Sequence, residues 1–254
     1  MTEKQKSAVI TGGASGIGLD IAVVLKERGW AVFLLDRNAE MLAEACKKLG
    51  LDDSHAITAS VTDENDVDAA VARAGERYTL GAVVNSAGVG MDKPAVDTSV
   101  EDFRRIVDIN LTGTFIVARA AARHWIARNE PGAIVNISSV SGMIGNKGRS
   151  AYGSSKGAVN MLTQILSTEL ARSNIRVNAV APGAVDTPLA RAVHTEDVRA
   201  QWHERIPQGR YGHTREIATA VAFLVSDDAS YVSGQVLAVD GGFVNAGLAD
   251  RKVS

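Results

Sequence analysis

Short apolar runs alternate with segments of helical periodicity along almost the whole chain, and this alternation constrains the fold most. Seven runs have the length and residue types of β-strands, and several of them are apolar on both faces. They are residues 7–11, 31–36, 55–60, 82–85, 133–138, 176–181 and 235–239. Between them, apolar residues recur at three- and four-residue spacing, as at Ile17, Ile21, Val24 and Leu25. The alternation predicts an α/β protein with a doubly wound parallel β-sheet of about seven strands, flanked by helices on both faces.

The chain's 254 residues are enough for one large domain or for two smaller ones. No linker rich in Pro, Gly or Ser, no internal repeat and no charge run divides the sequence, so we predict a single domain over residues 1–254. Residues 188–212 interrupt the rhythm, because they are polar, helical in pattern and follow the end of a predicted strand. Ligands bind at such strand ends in open α/β sheets, so this segment is predicted to cover a substrate.

The composition excludes several classes of protein. Hydrophobic residues make up 46% and charged residues 22%, with a net charge of −2, which gives no electrostatic reason to expect nucleic acid or an anionic membrane as a partner. Cys46 is the single cysteine, so the chain forms no internal disulfide and no cysteine-based metal cluster. The five histidines show no ligand spacing, and we predict no metal site.

The first residues, MTEKQKSAVITGG, pass directly from polar residues into a short apolar run. They lack the apolar h-region and cleavage site of a signal peptide. No apolar stretch approaches the roughly 20 residues that cross a bilayer. We therefore predict a cytoplasmic protein with no membrane partner.

A glycine-rich turn, TGGASGIG (residues 11–18), joins the first predicted strand to the first helix. Glycines at this junction let the backbone approach a pyrophosphate, and the helix N-terminus offers unpaired N–H groups to the anion. The spacing Gly-x-x-x-Gly-x-Gly differs from the common dinucleotide fingerprint, and tight strand–helix turns also use glycine for packing alone. The turn by itself leaves both interpretations open.

An acidic residue at the end of the second strand favours the dinucleotide interpretation. Asp36 lies about 20 residues after the glycines, where an acid binds a ribose 2′-hydroxyl. Its carboxylate would repel a 2′-phosphate, although the neighbouring Arg37 could accommodate that phosphate. We predict NAD rather than NADP as the cofactor.

The segment SAYGSSKG begins a helical pattern at residue 150 and places two functional groups on one helix face. Tyr152 and Lys156 are four positions apart and are therefore neighbours on a helix. A tyrosine hydroxyl has a reference pKa of about 10, and a nearby ammonium lowers it, which suits a general acid or base. Ser138 and Ser139 end the preceding strand, where either could bond a substrate oxygen or cap a turn. A tyrosine and a lysine four positions apart are also common on ordinary helix surfaces, so the pattern alone leaves the function open.

Taken in order, these motifs resemble those of the classical short-chain dehydrogenase/reductase (SDR) family, from about Ser7 to Phe243. TGGASGIG resembles the family's cofactor turn, NSAG (85–88) its N-N-A-G motif, YGSSK its Y-x-x-x-K motif and PGAVDT (182–187) its P-G-x-V-x-T motif. The resemblance implies a Rossmann-type fold and hydride transfer between NAD and a secondary alcohol or its ketone. The small-molecule alcohol or ketone would be the partner in that reaction.

The resemblance also implies a role for each catalytic residue. Tyr152 would be the general acid/base, and Lys156 would lower its pKa and hold the nicotinamide ribose. Ser139, 13 positions before the tyrosine, would bind the substrate oxygen. Asn110 would hold a water that links the lysine to solvent; by itself this residue indicates only a helix irregularity.

The implied cofactor contacts run along one edge of the sheet. The glycine turn would contact phosphates, Asp36 would bind the ribose, and residues after the third, fourth and sixth strands would line the adenosine and the nicotinamide. The full set comprises Gly12, Ser15, Gly16, Ile17, Gly18, Asp36, Arg37, Ser60, Val61, Asn85, Ala87, Gly88, Tyr152, Lys156, Pro182, Gly183, Val185 and Thr187.

Two positions depart from the family pattern. Ser60 replaces the Asp that would bind the adenine amino group, although Val61 can still offer its backbone N–H, and Ser86 stands where Asn is usual. Both changes bear on cofactor affinity more than on chemistry. NADP-preferring members often carry a basic residue in the glycine turn, where this chain has Ser15, which again indicates NAD.

Substrate identity lies mainly in two loops, residues 141–149 and 188–212. The preference for NAD suits oxidation of a polyol or sugar-type alcohol. Reduction of a 3-oxoacyl thioester is an alternative, and so is a non-catalytic dinucleotide-binding sensor or scaffold, although the four implied catalytic residues argue against the latter. The candidates to contact a hydroxylated substrate, which also fit ordinary surface or packing roles, are Asn146, Arg149, His194, Trp202 and His203.

The family resemblance further implies a homotetramer. Such tetramers commonly form through two long helices, here residues 111–128 and 151–172, and the last strand. Surplus apolar residues on these helices fit that assembly and also fit an ordinary core. The tail beyond Phe243 would either fray or reach a neighbouring subunit.

Overall fold

Seven parallel strands pair in the order β3-β2-β1-β4-β5-β6-β7 in the computed structural model, which describes residues 4–247. The strands are β1 (Lys6–Thr11), β2 (Ala31–Asp36), β3 (Ala56–Thr58), β4 (Thr79–Asn85), β5 (Gly132–Ile137), β6 (Ile175–Pro182) and β7 (Val236–Val239). Because β1 is flanked by β2 and β4, the order of the sheet reverses there. The carboxyl ends of the strands on either side of such a reversal form a ligand-binding crevice.

Helices cover both faces of this sheet. They are α1 (Gly16–Glu27), α2 (Ala39–Leu49), α3 (Glu64–Arg77), α4 (Val100–Val107), α5 (Gly113–Arg128), α6 (Ser150–Leu170), α7 (Pro188–Val193), α8 (Glu196–Arg205) and α9 (Thr214–Val225). Neighbouring strand residues point to opposite sides: Ile10 packs with α1, α2 and α9, whereas Val9 packs with α3, α5 and α6. Two apolar cores, one on each face, confirm the doubly wound, single-domain fold.

Two predicted strands have wrong boundaries. β3 is shorter than residues 55–60, because Asp53–His55 forms a 3₁₀ turn whose first backbone groups are capped by the Asp52 carboxylate. β4 begins at Thr79 rather than at residue 82, because Lys6 extends the pairing of β1 to that residue. β3 also ends at Thr58, two residues before the predicted end, whereas β4 ends at Asn85 as predicted.

The predicted helix over residues 111–128 is part of a longer and irregular one. α4 and α5 run on from each other through a single π turn, Asp108–Thr112. A π turn carries one residue more than an α turn, and it leaves a backbone carbonyl for another partner. Here the carbonyl of Asn110 accepts a 2.8 Å hydrogen bond from the Thr114 hydroxyl. The helix irregularity predicted at Asn110 is therefore confirmed.

Residues 188–212 contain α7 and α8, as their helical pattern predicts. The Thr187 side chain caps α7 by accepting a hydrogen bond from Ala190 N, and Pro188 occupies the first helical position, where no backbone donor is needed. Trp202 of α8 packs against a small separate apolar cluster that includes Tyr211 and Phe243. This cluster attaches the segment to the carboxyl side of the sheet.

The predictions on membrane spans, metal sites and the C-terminal tail are compared with the structure over residues 4–247. No helix within residues 4–247 combines the length and apolar character needed to span a bilayer. Nor do these residues bring three or more His, Cys, Asp or Glu side chains together around a possible metal ion. The end of the tail, residues 248–254, lies outside the described residues.

Candidate active site

A cavity of about 370 Å³ opens at the carboxyl ends of β1, β2, β4, β5 and β6. Every residue predicted to bind cofactor or to catalyse lines it, except Asn85 and Asn110. Of the five candidate substrate contacts, Arg149, His194 and Trp202 line it as well, whereas Asn146 and His203 do not. The sheet therefore brings the separated motifs to one site.

The glycine-rich turn packs against the start of the loop that follows β4. This packing leaves no room for a side chain at Gly12 or Gly18. A Cβ on Gly12 would lie 2.9 Å from the backbone of Ala87, and a Cβ on Gly18 would lie 2.2 Å from the carbonyl oxygen of Gly12. Gly12 also has a φ of 63°, a left-handed conformation that favours glycine. These close approaches hold the first turn of α1 at the cavity wall.

The amino-terminal end of α1 is left open toward the cavity. Ser15 is its N-cap residue, and its side chain makes no capping hydrogen bond. The first backbone N–H groups of a helix have no partner within the helix and carry the positive end of its dipole. Ser15, Gly16 and Ile17 line the cavity here, so this end can receive a phosphate group.

Asp36 ends β2 at the rim of the same cavity. Its carboxylate accepts hydrogen bonds from Asn38 N at 3.1 Å and from Ala14 N at 3.4 Å, which fixes it beside the glycine-rich turn. Arg37 and Ser60 line the wall beside it. The Ser60 hydroxyl is paired with that of Thr62 at 2.8 Å, so this position presents a small polar group where the family often has a carboxylate.

Asn85 occupies a different place from the one the resemblance implied. Its amide donates a 2.8 Å hydrogen bond to Asn136 Oδ1, and Asn136 donates in turn to the Thr163 hydroxyl at 2.9 Å. This buried chain runs between β4, β5 and α6, behind the cavity wall. Thr11, which the sequence analysis did not single out, holds the loop after β4 in place. Its Oγ1 accepts hydrogen bonds from the N–H groups of both Ser86 and Ala87 at 3.1 Å.

Asn110 lies behind the wall and shapes it through neighbours. Its side chain accepts from Val89 N at 2.9 Å, and donates to Val89 O and to the Ser155 hydroxyl, each at 3.0 Å. A Cβ on Gly88 would lie 3.1 Å from Asn110 Oδ1 and 3.5 Å from Lys156 Nζ. The π turn thus brings Asn110 close to the lysine.

Tyr152 and Lys156 lie one turn apart on α6, as their spacing predicts, and Ser139 faces them from the end of β5. Burial raises the pKa of Tyr152, while a hydrogen bond with Ser139 and the positive charge of Arg149 lower it. Burial also lowers the pKa of Lys156 to about 8. The Arg149 guanidinium carbon lies 5.5 Å from the Tyr152 ring centroid and the Lys156 ammonium 5.9 Å.

Lys156 is not among the groups that lower the pKa of Tyr152, so the effect that the resemblance implies stays a prediction. The lysine donates instead to the backbone carbonyl of Ile137 at 2.8 Å. The positive charge that lowers the tyrosine pKa belongs to Arg149. The sequence named Arg149 only as a loop residue, because its approach to Tyr152 depends on how the loop before α6 folds.

Comparison with known proteins identifies the family. Residues 12–244 match the family model described as "Enoyl-(Acyl carrier protein) reductase". The chain is 41% identical to galactitol 2-dehydrogenase (L-tagatose-forming) of Cereibacter sphaeroides, over 93% of this chain and 94% of that protein. It is 42% identical to cis-4-hydroxycyclohexanecarboxylate dehydrogenase of Sinomonas cyclohexanicum, over 94% and 96%.

A solved structure shares the fold over nearly the full length. The short-chain type dehydrogenase/reductase from Mycobacterium ulcerans superposes with a TM-score of 0.90 at 32% identity, over 96% of this chain and 92% of that one. The chain belongs to the short-chain dehydrogenase/reductase family. As an SDR protein it is an oxidoreductase that acts on alcohols or ketones with a nicotinamide dinucleotide.

Proposed function

We propose that this SDR protein is an NAD-dependent dehydrogenase that oxidises a secondary alcohol, with Tyr152 as general base. One observation carries the proposal: Ser139, Tyr152 and Lys156 line the same cavity as the glycine-rich turn and Asp36. A phosphate site, a ribose-binding acid and a proton-transferring group thus share one continuous surface.

The residues present fit a nicotinamide dinucleotide. The open end of α1 and the close backbone approach at Gly12 suit a pyrophosphate, and Asp36 suits an unmodified ribose diol. The nicotinamide would lie against four further residues of the cavity lining, Pro182, Gly183, Val185 and Thr187. When bound, the nicotinamide accepts a hydride in alcohol oxidation and donates one in the reverse reaction.

The chain's own residues would bind the substrate oxygen and transfer its hydroxyl proton. Ser139 Oγ would hydrogen-bond the substrate oxygen and hold it against Tyr152 Oη. Tyr152 would take the hydroxyl proton as the C–H hydride leaves, so that O–H and C–H bonds break and a carbonyl forms. Lys156 would hold the nicotinamide ribose, and Asn110 would support the lysine through the wall that contains Gly88. α7 and α8 would exclude water by covering this end of the cavity.

A polyol, sugar-type or cyclic secondary alcohol is the favoured substrate. The two relatives named above act, by their names, on galactitol and on a hydroxycyclohexanecarboxylate, and both compounds contain secondary alcohols. Reduction of a 3-oxoacyl thioester is the second candidate, because a 3-oxoacyl-[acyl-carrier-protein] reductase of Thermotoga maritima is 37% identical over 94% of this chain and 98% of that protein.

The decisive experiment measures NADH formation with NAD and a panel of polyols, sugars, cyclic alcohols and 3-hydroxyacyl thioesters. Tyr152→Phe is expected to lower turnover by at least ~10²–10⁴-fold while NAD still binds in calorimetry. Tyr231→Phe, at a fully exposed site, is the matched control and leaves turnover unchanged. Near-wild-type turnover of Tyr152→Phe would refute the mechanism, and NAD binding without any turnover would favour the sensor alternative.

We also propose a homotetramer built on the helix faces predicted above. Phe103 and Phe115 on α4 and α5, and Met161 and Ile165 on α6, are large apolar side chains that are more than a third exposed in the single chain. Light scattering after size-exclusion chromatography tests this. Ile165→Asp is expected to yield smaller species, and a monomeric wild-type protein would refute the proposal.

A further inference from the structure

Arg149 is a positively charged side chain in the wall of the cavity, and its carboxylate partner, Asp92, lies 3.6 Å away. Arg149 lies at the start of α6, its side chain is only 14% exposed, and it lines the cavity beside Tyr152. Its guanidinium carbon is 5.5 Å from the tyrosine ring centroid. A cation in this place lies beside the proposed general base.

The hydrogen-bonding capacity of this guanidinium is mostly unused within residues 4–247. An arginine has five N–H donors. One of them, on Nη1, reaches Met91 O at 3.1 Å, and Nη2 lies 3.6 Å from an oxygen of the half-exposed Asp92, beyond a good hydrogen bond. The remaining donors of this partly buried guanidinium can bind water or a ligand in the cavity.

Other arginines of the chain show what a satisfied guanidinium looks like. Arg191 donates two hydrogen bonds of 2.9 and 3.0 Å to Asp186, and Arg210 donates two of 2.7 and 2.8 Å to Glu216. Both of these arginines are far more exposed than Arg149. The least exposed of the three therefore has the poorest carboxylate pairing.

Asp92, the acid that pairs with Arg149, does not itself line the cavity. Among the described residues that line it, Asp36 is the sole carboxylate, and it lies at the end of β2, three strand positions away from β5. That spacing corresponds to roughly 14 Å. The substrate end instead has Lys156 as a second cation, and a negative group on the substrate would meet two positive charges there.

His194 completes this end of the cavity as a neutral polar group. Its Nδ1 is 3.0 Å from the Tyr211 hydroxyl, and its ring stacks on Trp202 at 6.2 Å. Burial and the positive charges of Arg149 and Arg199 lower its pKa, so the imidazole is neutral at neutral pH. It can orient a substrate by hydrogen bonding, but it leaves the binding of a negative charge to Arg149.

We propose that the substrate is a hydroxy acid, a secondary alcohol whose carboxylate pairs with the Arg149 guanidinium while its hydroxyl lies between Ser139 and Tyr152. This inference rests on the proposed dehydrogenase function and specifies its substrate class. A planar guanidinium with free donors matches a carboxylate with two hydrogen bonds.

Matched substrate pairs that differ only in charge test this proposal. One pair is 4-hydroxycyclohexanecarboxylate and its carboxamide, which have nearly the same shape, and another is an aldonate and the corresponding alditol. We expect the acid of at least one pair to have a kcat/KM about 10- to 100-fold above its neutral partner. Arg149→Met should abolish that ratio, Arg149→Lys should keep part of it, and Arg205→Met, on the exposed side of α8, should leave it unchanged.

The ratio separates substrate binding from a general effect on the tyrosine. Loss of a positive charge beside Tyr152 alters turnover of acid and neutral substrates alike, so an equal loss for both members of a pair would overturn the proposal. So would equal kcat/KM values in the wild-type protein. Calorimetric binding of the same pairs to the protein with NAD gives a readout without turnover. If no alcohol is oxidised, the dehydrogenase function fails, and Arg149-dependent binding of the acid still decides the inference.

Discussion

The ammonium of Lys156 donates a 2.8 Å hydrogen bond to the backbone carbonyl of Ile137, the last residue of β5. The side chain is almost fully buried, and no carboxylate pairs with it within residues 4–247. An amine in this environment has lost most of its hydration and gained one carbonyl. Its protonated form is therefore maintained at a cost to the folded state.

Lys156→Met is expected to stabilise the protein at neutral pH while it abolishes turnover. Burial lowers the pKa from 10.5 to about 8, so the unfolded chain binds more protons between these values and the wild-type protein gains stability as pH rises through them. At pH 7 the variant should have a free energy of unfolding about 1–3 kcal/mol higher, after allowance for the lost hydrogen bond. Urea denaturation measures this value.

The control for this prediction is Lys47→Met, on the exposed side of α2, which should leave unfolding unchanged at every pH. The gain from Lys156→Met should shrink as the pH rises from about 8 to 10.5, since the folded wild-type protein then holds the lysine neutral and no longer carries the cost of a buried charge. A variant that is less stable than the wild type at pH 7 would contradict the expected balance.

The rate of alcohol oxidation should rise with pH toward the alkaline side. Burial raises the pKa of Tyr152, and the phenolate is the form that accepts the alcohol proton. kcat/KM for oxidation should therefore increase as pH rises through this pKa, and kcat/KM for ketone reduction should decrease. Steady-state profiles of kcat/KM against pH, recorded for oxidation and for reduction, measure the pH at which this change occurs.

Ser139→Ala should slow the reaction, and it should also move the rise in kcat/KM for oxidation to higher pH. The hydrogen bond from Ser139 lowers the pKa of Tyr152, so its loss leaves the effect of burial less opposed. Ser154→Ala, at an exposed position of α6, serves as the control. A variant that is slower but whose kcat/KM rises at the same pH as in the wild type would assign Ser139 to substrate binding alone.

Asp36→Ala should reverse the cofactor preference. The carboxylate is fixed beside the glycine-rich turn by the N–H groups of Ala14 and Asn38, and its removal deletes a ribose partner and a charge that repels a 2′-phosphate. We expect the NAD/NADP ratio of kcat/KM to fall by about 10- to 100-fold. Arg37→Ala should shift the ratio the other way, and a wild-type preference for NADP would show that the role of Asp36 is misassigned.

Gly18→Ala should prevent cofactor binding by opening the turn. Its new Cβ would lie 2.2 Å from the carbonyl oxygen of Gly12, and backbone must move to relieve the overlap. Calorimetry should show at least a tenfold loss of NAD affinity, with the thermal midpoint also lowered. Gly145→Ala, where a Cβ has open space, should change neither property.

How far the sequence predicts this protein depends on whether a contact is local. The glycine-rich turn, Asp36 and the Tyr152–Lys156 pair are set by a strand end or by one helical turn, so their spacing places them correctly. Asn85 is a different case, because register opposite Asn136 turns its amide into the buried network behind the wall.

The surroundings of Arg149 depend on contacts remote in sequence. Its neighbours Met91 and Asp92 come from the loop after β4, about 58 residues earlier, and that loop is tied to the segment before α6 by the hydrogen bond from Lys93 N to Gly148 O. Neither hydrophobic periodicity nor turn chemistry reports which loops meet. The loose pairing of Arg149 with Asp92 is therefore visible only in three dimensions.

The π turn at Asp108–Thr112 gives this chain one residue that its helix does not require. Removal of a single residue there would let α4 and α5 join as an unbroken α-helix, with the buried face of α5 still in phase with the sheet. The domain would keep its core, but Asn110 would no longer reach Val89 and Ser155. In evolutionary terms, the insertion separates foldability from function: a lineage could lose the site by one codon deletion and still inherit the scaffold.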